Sequence, residues 1–356
     1  MNNKKTPLDT AKKLLSGGKQ NIVIIFAAVA LFAIFTLINS GFASSSNLLT
    51  MTKSFVPYAI LALGVTFVIA TGGIDLSIGT VCVGSAVFAG ALCRTTVTVT
   101  ENLWLTIPIM LGVGFAFGLL NGFLVAKCKL APFIATLGTM LVSRGVTAVV
   151  AELVRKTSSA VKYPTVGWLQ KTFVNYEGFP IGLVWVLGLT IICMVVMYKT
   201  KVGRYILAIG SNEEAARLSG IDVDKYKIIA YAIGGTFAGI AAMFYTAANP
   251  SLTIAAGNGM ELDAIAGVYI GGTSTTGGSA SIAGTILGSM ILVIIRQGLN
   301  IALSSGSVVS ATNITYAVTG VIVVGAVMLD VLKKKSAAKV KIPTAEKKAI
   351  SDKAKA

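Results

Sequence analysis

The sequence contains no histidine and few charged residues. Histidine is absent from all 356 positions, and Asp, Glu, Lys and Arg together make up only 12% of the chain. Without histidine, Ser-His-Asp and Cys-His nucleophiles, imidazole proton relays and histidine-ligated metals are excluded. A soluble domain carries about 25% charged residues, so this chain lacks the polar side chains to cover its surface in water. The two shortages indicate a membrane protein rather than a histidine-dependent enzyme.

Recognisable cofactor motifs are also missing. The four cysteines show no CxxC spacing and lie in or beside apolar segments, which is typical of buried small side chains and not of a disulfide or metal site. No GxxxxGK[ST] sequence is present to bind nucleotide phosphates. We therefore expect no metal site, no cofactor bound by this chain and no enzyme activity.

Hydrophobic residues are abundant instead, at 54% of the chain, and they form long charge-free runs. A helix needs about 20 mostly apolar residues to cross a bilayer. We predict an all-α polytopic transmembrane helix bundle of about ten spans, the eighth being short and glycine-rich. A cleavable signal ending near 41–43 is an alternative for the first run, but its apolar length favours a retained helix. The predicted spans are centred near residues 30, 62, 86, 114, 141, 189, 238, 267, 290 and 320.

The net charge of +16 is concentrated in two tails. Residues 1–21 hold five lysines against Asp9, and residues 331–356 hold nine lysines against Glu346 and Asp352. Basic tails beside an apolar body are attracted to anionic lipid, so we favour membrane lipid and not nucleic acid as their partner. With the N-terminus in the cytoplasm, 22 of the 30 Lys and Arg residues fall on the cytoplasmic side. Both termini are therefore expected there.

Two glycine-rich segments interrupt the apolar runs in similar ways. Residues 70–80 have the sequence ATGGIDLSIGT, and residues 270–279 have IGGTSTTGGS. Unpaired backbone is not tolerated against lipid, so an unwound helix here must be buried or line a cavity, as in transporter sites. We predict broken or re-entrant helices near 72–79 and 271–278; ordinary tight turns are the alternative. The candidate pathway residues in these segments are Gly72, Gly73, Asp75, Ser77, Gly271, Gly272, Thr273 and Ser274.

Two carboxylates, Glu261 and Asp263, begin the short eighth span. Burying a carboxylate within the membrane costs free energy, and such residues are usually functional. On this interpretation Glu261 and Asp263 are both candidate residues of the translocation pathway. Because residues 257–259 are glycine-rich, a position in water at the membrane interface is an equal alternative. Arg144 and Arg296 are the possible counter-ions, but the sequence does not assign the pairs.

A polar segment, residues 199–227, follows the sixth span. Asn212 precedes two glutamates, as in an N-capped helix whose acidic first turn complements the helix dipole, and Gly220 is suited to end that helix. A short polar helix held between two spans is suited to docking a partner protein. The candidate docking residues are Asn212, Glu213, Glu214, Ala215, Ala216, Arg217 and Gly220.

Taken in order, four segments resemble the permease subunits of monosaccharide ABC importers of the ribose, xylose and galactose type. The resemblance covers about residues 50–330. Branched-chain amino-acid permeases are similar in plan, but TGGIDLS and ELDAIA favour sugars. Two segments depart from the pattern: GGSASIAGT (277–285) stands for GGxGxIxGT, and RQGL (296–299) for NNGL. The matching segments are ATGGIDLSIGT (70–80), NGFLVAKCKLAPFIATLGTM (121–140), GRYILAIGSNEEAARLSGI (203–221) and ELDAIAGVYIGGTSTTGG (261–278).

The resemblance implies a multi-pass permease of the cell membrane, with its permease domain at 22–330 between the basic cytoplasmic tails 1–21 and 331–356. The Lys- and Ala-rich composition of the second tail predicts that it is disordered or lies along the membrane. It implies a monosaccharide delivered by an extracytoplasmic binding protein, and a second permease copy in a homodimer or heterodimer. It also implies a cytoplasmic ATPase subunit that holds ATP and Mg²⁺. Glu214-Ala215-Ala216 followed by Gly220 matches the EAA-type loop, so 212–222 would be the coupling helix.

Two other classes of function are compatible with parts of the sequence. In an ion-coupled secondary transporter of a small polar solute, Asp75, Glu261 and Asp263 would carry protons or sodium. An intramembrane aspartyl enzyme requires a GxGD segment, and the GGID at 72–75 does not provide that spacing. A related ABC permease for a branched-chain amino acid or another small solute is the remaining alternative.

Overall fold

A computed structural model describes residues 7–93, 103–155, 160–163 and 167–303, together with parts of 314–328. Within this part of the chain the protein is almost entirely helical, with one two-stranded sheet. The elements in chain order are α1 (Pro7–Ile38), a 3-10 turn (Ser40–Ala43), α2 (Ser45–Ala70), α3 (Ile78–Leu92), α4 (Leu103–Ala126), α5 (Pro132–Arg155), β1 (Ala160–Lys162), α6 (Trp168–Phe173), α7 (Ile181–Lys199), α8 (Lys201–Ser211), α9 (Glu213–Leu218), α10 (Val223–Ala248), β2 (Ser251–Thr253), a 3-10 turn (Ile254–Gly257), α11 (Met260–Ile270) and α12 (Ile282–Leu303).

Seven helices of the described part are long and apolar enough to cross a membrane: α1, α2, α4, α5, α7, α10 and α12. They contain seven of the ten predicted span centres. The predicted third and eighth crossings are the shorter helices α3 and α11, and the tenth, near residue 320, is described only in part. The all-α polytopic bundle is thus confirmed. The count of ten spans, the side of the termini and the tail 331–356 stay predictions, the tail lying outside the described residues.

Helices α2 and α10 form the centre of the bundle. α2 is buried along nearly its whole second half, from Val56 to Ala70, and it contacts α10, α11, α12 and α7. α10 packs mainly against α4, α2 and α3. Asp222 caps α10, because its side chain accepts a hydrogen bond of 3.0 Å from the amide of Lys225. The enclosed second half of α2 therefore has little lipid contact and is held by its neighbours.

Glycine residues on the facing sides of these helices allow their backbones to come into direct contact. A Cβ on Gly235 of α10 would lie 2.7 Å from the Cα of Gly118 of α4, and one on Gly239 would lie 2.9 Å from the Cα of Leu111. A Cβ on Gly288 of α12 would lie 2.8 Å from the amide nitrogen of Gly271. Small residues at four-residue spacing let helix backbones approach in lipid, where packing drives association. The α4–α10 and α11–α12 contacts are therefore specified by glycine.

The bundle has two distinct ends. At the strand end, β1 and β2 pair antiparallel with Ala160 opposite Thr253, and Trp104 stacks on Trp168 with ring centroids 3.9 Å apart. At the basic end, the turn between α4 and α5 approaches the start of α10, where Lys129 lies 2.8 Å from Asp224. Helices α8 and α9 also lie at the basic end, which the distribution of Lys and Arg predicts to be cytoplasmic.

Candidate functional site

The first glycine-rich segment is a true break between α2 and α3. α2 ends at Ala70, Gly72 takes a left-handed φ of 82°, and α3 begins only at Ile78. Side chains of other helices satisfy the unwound backbone: the amide of Leu76 donates to Thr136 Oγ1 at 3.2 Å, and Tyr231 donates to the carbonyl of Ile74 at 3.2 Å. Residues 74–77 of the break are therefore packed against α5 and α10, whereas Gly72 at its start is exposed.

Asp75 lies within this break and is only 1% exposed. Its carboxylate accepts hydrogen bonds from the amide and hydroxyl of Ser77, at 2.8 and 2.6 Å, and from Asn121 Nδ2 at 3.3 Å. Thr139 in turn donates to Asn121 Oδ1 at 2.5 Å. No Lys or Arg forms an ion pair with Asp75 in the described part of the chain. A buried carboxylate held only by neutral donors fixes the break to α4 and α5.

The second segment is likewise a break, between α11 and α12. Gly272, Gly277 and Gly278 adopt φ values of 87°, 79° and 76°, which favour glycine. The hydroxyl of Thr273 accepts a hydrogen bond from the amide of Ser281 at 3.0 Å. Tyr198 of α7 donates to the carbonyl of Ala280 at 3.0 Å. The predicted similarity of the two segments thus extends to their structure, since both are unwound and satisfied by side chains.

The two breaks contact each other. The amide of Gly278 donates to the carbonyl of Ala70 at 3.0 Å, and a Cβ on Gly277 would lie 2.9 Å from the Cα of Gly72. The C-terminal end of α8 lies against both: a Cβ on Gly210 would contact the carbonyl oxygen of Ala70 and the amide of Gly278. Four chain segments therefore meet at one junction: the ends of α2 and α8, the start of the first break and the end of the second.

Helix α9 follows α8 directly, at the basic end. Asn212 caps it by accepting a hydrogen bond of 2.9 Å from the amide of Ala215, and Gly220 ends the turn with a φ of 82°. Ala216 is buried against Ile209 and Val223. Leu218 is 84% exposed. The structure thus has the short capped helix that the sequence predicts, but Ala216 points into the protein and Leu218, which sequence analysis missed, points outward.

Charged residues hold α9 to its neighbours. Lys227 lies 2.6 Å from Glu213, and Arg217 lies 3.4 Å from Glu213 and 3.6 Å from Asp224. The hydrogen bond from Lys227, together with the charge of Lys227 and Arg217, lowers the pKa of the Glu213 carboxyl below its ordinary value. Since Asp224 also binds Lys129, the network joins α9, α10 and the α4–α5 turn.

Asp263 and Arg296 form an ion pair inside the bundle. The Arg296 Nη2 atom lies 2.6 Å from the Asp263 carboxylate, and Nη1 donates to the hydroxyl of Tyr58 at 3.0 Å. The guanidinium carbon lies 5.4 Å from the centroid of the Tyr58 ring. The pair borders a cavity of about 100 Å³ between α2, α11 and α12. Of the two possible counter-ions, Arg296 is the one that pairs.

Glu261 is buried too, at 7% exposure, but it is not paired in the same way. Its Oε1 atom accepts a hydrogen bond from the amide of Gly259 at 3.2 Å, whereas Oε2 has no hydrogen-bond partner among the described residues. The Nε atom of Arg144 is likewise buried and without a partner in that part of the chain. Glu261 and Asp263 therefore both lie in the protein interior and not at a water-exposed interface.

The structure brings the predicted residues together in three places: the Asp75 network, the junction of the breaks and the cavity at Asp263. Glu261 lies apart from these, and α9, the predicted docking helix, adjoins the junction through the end of α8. Sequence analysis missed Asn121, Tyr58 and Gly210. A lone amide in the apolar run of α4 was an available signal for Asn121, but none existed for Tyr58. No group of three or more His, Cys, Asp or Glu side chains in the described part of the chain is arranged to hold a metal.

Comparisons with known proteins agree with this architecture. A family model described as the permease component of the branched-chain amino acid transport system matches residues 47–329. The ribose import permease of Escherichia coli K12 is 37% identical over 282 residues, covering 78% of this chain and 85% of that protein. The ribose import permease of Bacillus subtilis is 35% identical over 335 residues, covering 93% and 98%.

A third relative, the fructose import permease FruF of Bifidobacterium longum, is 37% identical over 298 residues, covering 80% of this chain and 82% of that protein. A comparison with the solved structures finds no match. The matched length and these identities confirm the resemblance at the level of the family. The chain therefore belongs to the family of transport-system permease components, and with its seven long apolar helices it is a multi-pass protein of the cell membrane.

Proposed function

We propose that this chain is the permease subunit of an ABC importer for a monosaccharide. The sugar is delivered by an extracytoplasmic binding protein, and ATP is hydrolysed on a separate cytoplasmic subunit. Relatives named as ribose and fructose import permeases match most of the chain, which supports a monosaccharide over an amino acid. In this proposal the chain catalyses no covalent change and binds no cofactor. A second permease copy, identical or related, completes the translocation pathway.

One observation supports coupling to an ATPase most directly: α8 and α9 are continuous with the junction of the two breaks. α9 is exposed at the basic end, with Leu218 outermost, and Gly210 at the end of α8 lies against Ala70 and Gly278. A partner that pushes on α9, which begins at Glu213, therefore acts three residues from Gly210, which contacts the last residue of α2 and the second break. In this proposal ATP-driven closure of the partner moves α9 and shifts the bundle between outward and inward access.

Reconstitution tests the proposal. The chain is placed in liposomes with a sugar-binding protein and an ABC ATPase subunit from the same organism, and uptake of radiolabelled ribose, fructose and leucine is measured. We expect uptake of one or more sugars that requires ATP, the ATPase and the binding protein. Leucine uptake alone would support the amino-acid alternative that the family description suggests. Uptake by the chain alone, driven by a sodium or proton gradient, would contradict the proposal in favour of a secondary transporter.

A further inference from the structure

A polar cavity inside the bundle has no role in the coupling described above. It has a volume of about 100 Å³ and lies between α2, α11 and α12. A cavity needs about 10–15 Å³ of such space to hold one water, so this one admits several waters. Since the cavity is open on one side, it can also admit one edge of a monosaccharide whose remainder lies outside it. Its polar lining includes Ser54, Tyr58, Asp263, Ser289, Arg296 and Asn300.

The charged groups of the cavity balance one another. Asp263 and Arg296 form an ion pair, so the site carries no net charge, and each partner offsets the cost of burying the other. A guanidinium has five N–H donors, and the bonds to Asp263 and Tyr58 use only some of them. The Arg296 side chain is 26% exposed, so its remaining N–H donors are accessible to a ligand in the cavity.

The remaining residues that line the cavity supply both hydrogen-bond donors and hydrogen-bond acceptors. Ser289 donates its hydroxyl proton to the carbonyl of Thr285 at 2.9 Å, which leaves the oxygen able to accept. The side-chain amide of Asn300 forms no hydrogen bond with another described residue, and it has two donors and an acceptor. Leu292 and Val293 provide apolar wall. Donors, acceptors and carbon surface together match an uncharged molecule with several hydroxyl groups.

Charged ligands fit the cavity less well. An anion would be attracted by Arg296 but repelled by the carboxylate that lies 2.6 Å from it, and a cation would meet the reverse arrangement. A neutral ligand meets no such repulsion, and vicinal hydroxyls can bind the carboxylate and the guanidinium at once. The net neutrality of the pair therefore disfavours ligands with a single net charge. It admits uncharged polyols and also zwitterions, so leucine is the informative competitor in the test below.

We propose that the cavity bordered by Tyr58, Asp263, Arg296 and Asn300 is a monosaccharide-binding site of the permease itself. This inference rests on the proposed function and adds to it a site within the chain. Asp263 and Arg296 bind sugar hydroxyls, Asn300 orients the ring, and Tyr58 positions Arg296 through its hydrogen bond. The site holds the sugar after it leaves the binding protein, and it lies beside the middle of α2.

A cysteine-protection experiment on the purified chain in lipid nanodiscs tests the site without the partner proteins. Cys128 is the exposed native cysteine of the described residues, so Cys128→Ser provides the background and Ser54→Cys provides a nearly isosteric reporter in the cavity. The rate of modification by a small charged thiol reagent is measured with D-ribose, with D-fructose and with leucine. We expect sugar, but not leucine, to slow the reaction. Adding Asp263→Asn should raise the sugar concentration required about tenfold, as expected for one charge-assisted hydrogen bond.

One further variant and one control keep the test decisive. Asn300→Leu fills the amide position with apolar volume while leaving the ion pair intact, so it should abolish protection even if Asp263→Asn folds poorly. Cys128 in the chain without the reporter is the control, because sugar should leave its modification unchanged. Slowing at both cysteines would overturn the proposal, as would protection by leucine. Sugar uptake by the reconstituted importer without protection at the cavity would reject this site alone, whereas absence of sugar uptake would reject the proposed function.

Discussion

A methyl group at Gly210 should disrupt the junction between α8 and the two breaks. In an ordinary helix interior, Gly→Ala is stabilising by about 0.5–1 kcal/mol because alanine restricts the unfolded chain. Here the new Cβ would contact the carbonyl oxygen of Ala70 and the amide of Gly278, both backbone atoms that cannot rotate away. Overpacking of this kind costs about 1–3 kcal/mol.

The same methyl group also separates a buried hydrogen bond. The amide of Gly278 donates to the carbonyl of Ala70 at 3.0 Å, and leaving these groups unsatisfied costs about a further 1–3 kcal/mol. After the gain in helix propensity is subtracted, we expect Gly210→Ala to destabilise the protein by about 1–5 kcal/mol. ATP-driven uptake should fall with it, because the junction joins α9 to both breaks.

The assay compares Gly210→Ala with Gly188→Ala in α7. A Cβ on Gly188 has no atom within 4 Å among the described residues, so only the favourable propensity effect remains. Both variants are purified, their unfolding midpoints are measured in the same detergent, and uptake is measured in proteoliposomes. Gly210→Ala should unfold at lower temperature than wild type, and Gly188→Ala at the same or higher temperature. Equal midpoints and equal uptake for the two variants would refute the close packing at this junction.

Three further predictions concern the Asp75 network and the docking helix. Asn121→Ala removes the amide that bonds Asp75, Ser77 and Thr139, so it should lower stability by about 1–3 kcal/mol; Thr236→Val, whose hydroxyl bonds only its own helix, is the control in the same unfolding measurement. Glu213→Gln should cost less than about 1 kcal/mol, because the pair with Lys227 is partly exposed. Since the pKa of Glu213 is lowered in the folded protein, its contribution is present above the ordinary pKa of 4.5 and is lost as the pH falls below it. The unfolding midpoints of wild type and Glu213→Gln should therefore differ at pH 7 and converge in acid, and a constant difference would contradict this. Leu218→Asp should change the free energy of unfolding by no more than about 0.5 kcal/mol, because the side chain is 84% exposed, while abolishing ATP-coupled uptake; normal uptake would exclude α9 as the docking helix.

Local features of the structure could be predicted from the sequence. The breaks follow from Gly72 and Gly272, where the backbone takes a conformation that glycine adopts without strain. α9 follows from Asn212, an N-cap whose partner is only three residues away. The glycine faces of α4 and α10 follow from their four-residue spacing. In each case the physical cause lies within one turn or one helix face, so the sequence contains it directly.

Long-range pairings could not be predicted in the same way. Asp263 bonds Arg296 across 33 positions, Arg296 bonds Tyr58 across 238, and Asp75 bonds Asn121 across 46. Periodicity does not determine which helices become neighbours, so Arg144 and Arg296 were equal candidates as counter-ions. The inward position of Ala216 has the same origin, because it depends on how α8 and α10 close over α9.

The helices that end at the breaks are also the helices that border the cavity. α11 carries Asp263 in its first turn and ends at Ile270, about 10 Å further along at 1.5 Å per residue. α2 carries Tyr58 and ends at Ala70, about 18 Å away, and Pro57 interrupts its hydrogen-bond ladder directly beside the cavity. Because packed helices move as rigid units, a displacement of α8 at the junction reaches Tyr58 along α2, and α2 packs against α11, which carries Asp263. In the proposed importer, the docking helix and the sugar site are therefore connected through the long helix α2 and its contact with the short helix α11, and a glycine break follows each of these two helices.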